Sequence, residues 1–111
     1  MPAPAPINET EELVLLALAR LEAGAYGVPI RREIEERGGR AVSIAAVYAA
    51  LDRLEGRGLA ESWLSDPTPE RGGRARKHFR LTAAGAAALL EARAVKERLW
   101  EGLDLAPGEL R

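Results

Sequence analysis

Between Ser43 and Gly58 the apolar residues Ile44, Val47, Leu51 and Leu54 recur at spacings of three, four and three, the stripe that one face of a helix buries. Ser43 suits the N-cap, where its hydroxyl accepts an orphan backbone N–H, and Gly58 suits the left-handed residue past the end. The outward side of this helix, residues 43–57, starts with alanines and ends with Asp52 and Arg53. An earlier run, LVLLALARL from Leu13 to Leu21, is apolar on nearly every side, with Arg20 its one interruption. A short helix patterned that way, over about Glu11–Ala23, needs cover all round. Asn8 or Thr10 caps it, and Glu11 and Glu12 are well placed in its first turn. Gly24–Gly27 then reads as a tight turn carrying Tyr26. Val28 and Pro29 open a second helix to about Arg37, with Ile30 and Ile34 inward and Arg31, Arg32, Glu33, Glu35 and Glu36 outward. Gly38 and Gly39 end it.

After Gly58 the period changes. Leu59–Ser65 and Arg76–Leu81 read as two short strands around DPTPERGGRA, a tip with too many prolines and glycines for a regular element. Thr82 caps a last helix in which Gly85, Ala88, Ala92, Val95 and Leu99 form a coiled-coil-like seam, broadened by Leu89 and Trp100. This helix stands outside the core, so its seam calls for a partner. So does the all-apolar first helix. A homodimer answers both, with Leu13, Leu16, Leu89, Ala92, Val95, Leu99 and Trp100 at the interface; the alternative is a helix folded back on its own domain. Three helices joined by short glycine turns and followed by a hairpin resemble a winged helix-turn-helix. The fold class expected is therefore mainly α with a small β-hairpin. Residues 1–8 form a disordered arm, 9–82 the winged domain, 83–103 a dimerisation helix and 104–111 a flexible tail.

Composition narrows the chemistry. The 111 residues suit one domain, and 16 Lys and Arg against 17 Asp and Glu leave net charge silent about partners. With no cysteine and one histidine, His78, neither thiol chemistry nor a Cys/His metal site is available, and no cofactor motif appears. No grouping of nucleophile, base and acid points to an enzyme. No run is long enough for a membrane span and the N-terminal residues do not read as a secretory signal, so a soluble cytoplasmic protein is expected.

The distribution of charge says more than its sum. Arg71–Arg80, RGGRARKHFR, holds Arg71, Arg74, Arg76, Lys77 and Arg80 with no acid between them. Guanidinium groups bind phosphate oxygens with two donors at once, so the run fits a nucleic-acid backbone. Taken alone it fits a solvated loop equally well. His78 among these cations reads as a neutral hairpin residue. On the helix over 43–57, Tyr48 lies at the edge of the buried stripe, and Arg53 contacts a DNA backbone or pairs with Glu55 or Asp52. The alanines, including Ala46, offer methyl contacts to thymine.

Tyr26-Gly27, VYAALDRLEGRGL from Val47 to Leu59, and GGRARKHFRLTAAG from Gly72 to Gly85 together resemble the PadR-like transcriptional regulators, dimeric winged-helix proteins that are usually repressors. The resemblance covers about Glu11 to Trp100 and is to the short subclass with one C-terminal helix. It implies that Ser43, Ala46, Tyr48 and Arg53 lie on the recognition helix near a palindromic double-stranded DNA operator. It also implies that Arg74, Arg76 and Lys77 lie on a wing over residues 70–80, with Tyr26 beside the phosphate backbone. Ala46 stands where the family often has threonine, and Asp52 where lysine is common. Some short members bind flat aromatic molecules between tryptophans of the last helices, which implies a small aromatic effector here, although Trp100 falls one turn later and Lys96 is nearer that position. An interaction module that keeps the scaffold and has lost DNA binding is the alternative reading.

Overall fold

A computed structural model describes residues 6–65 and 76–109. These form helices α1 (Glu9–Arg20), α2 (Gly27–Gly38) and α3 (Ile44–Gly56), strands β1 (Ala60–Leu64) and β2 (Lys77–Leu81), helix α4 (Ala83–Trp100), and a 3-10 turn at Pro107–Glu109. The wing tip with Arg71 and Arg74, residues 1–5 of the N-terminal arm and the last two residues lie outside the described residues. The architecture is the expected one: a helical core, an antiparallel hairpin and a long last helix.

Local chemistry explains the ends. Asn8, not Thr10, caps α1: its Oδ1 accepts the Glu11 N–H at 2.8 Å, while Glu11 Oε1 accepts the Asn8 N–H at 2.8 Å. This reciprocal capping box satisfies two orphan donors. The helix stops at Arg20, short of the expected Ala23, because the Gly24 N–H turns back to the Leu21 carbonyl at 2.7 Å. Gly24 sits at φ +89, and a Cβ there would stand 2.3 Å from Trp63 Cη2. Ser43 Oγ accepts the Ala46 N–H at 3.0 Å, which starts α3 as expected.

The core follows the stripes read from the sequence, except that Ile44 at the start of α3 is only half-buried and lies outside it. Val14, Leu15 and Leu18 of α1 meet Ile30 and Ile34 of α2, Val47, Leu51 and Leu54 of α3, and Phe79 of β2. Fully burying each leucine, isoleucine or phenylalanine contributes roughly 1.5–3 kcal/mol. In the hairpin Ser62 faces Phe79 and Trp63 faces His78. The turn before α2 adds a rung that periodicity does not reveal: Ala25 and Phe79 exchange both backbone hydrogen bonds, at 2.9 and 2.8 Å.

One expectation about the apolar faces changes. The last helix does not stand clear of the core at its start. Thr82 Oγ1 accepts the Gly85 N–H at 3.0 Å and donates to the Gly58 carbonyl at 2.7 Å, which draws α4 against the end of α3. Gly85 and Ala88, read as the beginning of a seam, are buried within their own chain. The single chain covers α1 on one side only, as expected, and leaves Leu16 45% exposed. Further along α4, Leu90, Val95, Leu99 and Trp100 face solvent, Leu99 at 73% and Trp100 at 58%. Leu13 and Leu89 are half-buried against the core, and Ala92 is half-buried as well.

Candidate nucleic-acid interface

The outward face of α3 consists of Ala45, Tyr48, Ala49, Asp52 and Arg53, all exposed, with Ala46 half-buried at its edge and Ser43 exposed at its start. The buried stripe on the opposite side fixes which residues face out. Tyr48 is seated by a missing side chain: a Cβ on Gly27, the first residue of α2, would lie 2.5 Å from Tyr48 Cζ. The phenol thus rests over the start of α2, where the helix dipole and free N–H groups favour an anion.

Arg53 pairs with neither Glu55 nor Asp52. Its Nε donates to Glu11 Oε2 at 3.0 Å, and Arg57 Nη1 lies 3.8 Å from Glu11 Oε1. Glu11 is 5% exposed, the one buried charged residue among those described. Its burial pushes the carboxyl pKa up, but the Asn8 N–H and the two arginines outweigh that and hold it below the ordinary value. Spacing signals this residue only in part: Asn8 followed by Glu11 is capping-box spacing, whereas the link to Arg53 spans 42 positions.

On the outer face of the hairpin, aromatic rings and cations alternate. The Arg76 guanidinium lies 4.3 Å from the centre of the Tyr26 ring. Tyr26 meets His78 edge-on at 5.6 Å, His78 stacks on Trp63 at 5.7 Å, and Arg80 lies 5.2 Å over Trp63. The Arg76 carbonyl is 3.1 Å from His78 Nδ1, which fixes the ring between its neighbours. Each exposed cation–π contact contributes about 0.5–1 kcal/mol, so the ladder orders the hairpin face more than it stabilises the fold. Arg76 has no carboxylate partner among the described residues. Lys77, on the other face, donates to Glu55 Oε1 at 3.0 Å, and Ser62 donates to the second oxygen of that carboxylate. The Ser62 hydroxyl and the Lys77 ammonium hold the Glu55 carboxyl below its ordinary pKa.

The structure therefore brings Tyr26 and Arg76 into contact and sets Ser43, Ala46 and Tyr48 along the first half of α3. It ties Arg53 and Lys77 to carboxylates of their own chain. A helix with one exposed face, flanked by a hairpin that carries cations along its length, is a winged helix-turn-helix. Residues 14–91 match the transcriptional regulator PadR-like family. The chain belongs to that family. A PadR-family transcriptional regulator from Eggerthella lenta is 30% identical, with 81% of this chain and 76% of that one covered and a TM-score of 0.67. A PadR-like transcription factor from Bacteroides fragilis is 26% identical, with 82% of each chain covered and a TM-score of 0.69. A PadR-family regulator from Clostridium difficile is 26% identical, with 83% and 90% covered and a TM-score of 0.63. No protein of curated function matches the chain. The family is one of transcriptional regulators, and these neighbours are transcriptional regulators too. Among the described residues no helix is long and apolar enough to cross a membrane.

Proposed function

We propose that the chain acts as a homodimeric repressor that binds a palindromic double-stranded DNA operator. In this reading the first half of α3, with Ser43, Ala46 and Tyr48, enters the major groove, and Arg53, Arg74, Arg76, Lys77 and Tyr26 meet the backbone. The observation that carries it is Arg76, a guanidinium without a carboxylate partner among the described residues, laid on Tyr26 beside the start of α2. The exposed apolar surface of Leu16, Leu90, Val95, Leu99 and Trp100 supports pairing of two chains. A two-fold dimer reads two half-sites about 34 Å or a multiple of that apart, which requires a palindrome. A mobility-shift titration against the DNA upstream of its own coding sequence tests this. A folded dimer that shifts nothing at low salt would sink it.

Asp52 on the outward face, together with the tied Arg53 and Lys77, favours a second reading, a protein-interaction module on the same scaffold. Replacing Arg74, Arg76 and Lys77 by alanine separates the two, because a repressor loses its operator while a module keeps its partner. The candidate place for a flat aromatic effector is the groove between α1 and α4, lined by Leu16, Leu89, Leu90, Lys96 and Trp100. Titrating Trp100 fluorescence with planar aromatics, in a Trp63→Phe background, checks for a saturable response.

A further inference from the structure

We propose that Glu11 is a positioning residue for DNA binding: its buried carboxylate holds Arg53 by Nε and so presents the two terminal nitrogens of the guanidinium to a phosphate. This rests on the reading of Arg53 as a backbone contact. Arginine carries five N–H donors, and the bond from Nε to Glu11 Oε2 at 3.0 Å uses one. Four remain on the two terminal nitrogens, enough for a two-pronged grip on phosphate oxygens. The anchor is itself fixed, since Glu11 Oε1 accepts the Asn8 N–H at 2.8 Å as part of the α1 cap. The anchor is nearly sealed from solvent, whereas the Arg53 side chain is 49% exposed on the flank of the outward face. An unanchored arginine must give up rotamer freedom when it grips a phosphate, and one already held gives up less.

Charge and positioning predict opposite signs for Glu11→Gln. Removing a negative charge near DNA raises the local positive potential, so charge alone tightens binding. Loss of the anchor weakens it. Glutamine serves equally in a capping box, so the start of α1 is retained. The test is anisotropy titration of the full chain against labelled duplex from upstream of its own coding sequence, with folding followed by circular dichroism. Glu11→Gln should weaken binding about two- to twelvefold per chain, the cost of re-ordering one rotamer-rich side chain, with an unchanged salt slope. Arg53→Ala should weaken it more, and the double variant no further than Arg53→Ala. Unchanged or tighter binding by Glu11→Gln overturns the proposal, as does a Glu11→Gln loss that persists undiminished in the Arg53→Ala background. An Arg53→Ala variant that binds like the parent overturns the reading of Arg53 itself. Should Glu11→Gln not fold, Arg53→Lys decides: an ammonium offers its donors from a single atom and cannot hold the carboxylate while giving phosphate a two-pronged grip, so weaker binding is expected, and parental affinity overturns the proposal.

Discussion

Gly85 and Gly56 both sit in helices, and the same substitution should move stability in opposite directions. At Gly85 a Cβ would stand 2.0 Å from the Leu59 carbonyl oxygen, a backbone atom that cannot turn aside. Gly85→Ala should therefore cost about 1–3 kcal/mol in spite of alanine's better helix propensity. At Gly56 a Cβ meets nothing within 4 Å, so Gly56→Ala should add about 0.4–1 kcal/mol by restricting the unfolded chain. Urea unfolding of the pair measures both. Glu11 gives a pH dependence of known sign. Its folded pKa lies below the ordinary 4.5, so its contribution is fully present above that value and fades as pH falls through the folded one. Glu11→Gln should be about 1–2 kcal/mol less stable than the parent at pH 7, with the gap closing in thermal melts as the pH falls below the ordinary carboxylate range.

Elements with local causes were legible in the chain. Ser43, Thr82 and the 3.6-residue stripe of Val47, Leu51 and Leu54 announce α3 and the start of α4 because a cap and a stripe depend on near neighbours. The seam of α4 was legible only as a stripe. Spacing shows that Gly85 and Ala88 share a face with Ala92 and Val95, but not that Leu59 of the same chain covers its first turn. In the candidate site the cations could be picked out one by one. Their partners could not, since Arg53 meets Glu11, and Arg76 meets Tyr26, only after the chain has folded. Arg76→Ala should make the salt dependence of operator binding shallower by about two, because each dimer loses two phosphate contacts at a slope near 0.9 each. Anisotropy titrations across a salt series give that slope.

At the scale of the whole molecule, one group of exposed apolar residues lies on one side of α1 and along α4 beyond its first turns. Leu16, Leu90 and Trp100 line one groove there, and Leu13, Ala92 and Val95 line its neighbour. A helix 73% exposed at Leu99 gains little from packing at home. Leu99→Asp and Trp100→Asp should shift sedimentation toward the monomer without unfolding the core, and operator affinity should fall with the lost second half-site.

The Ala25–Phe79 rung has a mechanical consequence. It locks the turn before α2 to the middle of β2, so the hairpin cannot hinge at its root without carrying Tyr26 and the first residues of α2 along. Flexing is passed outward, to the pair of Ser65 and Arg76 beside the tip, where the Ser65 N–H donates to the Arg76 carbonyl at 2.8 Å. In deuterium exchange the Ala25 and Phe79 amides should open together and slowly, while the amides of the outermost rung exchange first. The wing then behaves as a stiff lever on the helix start, with its compliance at the far end.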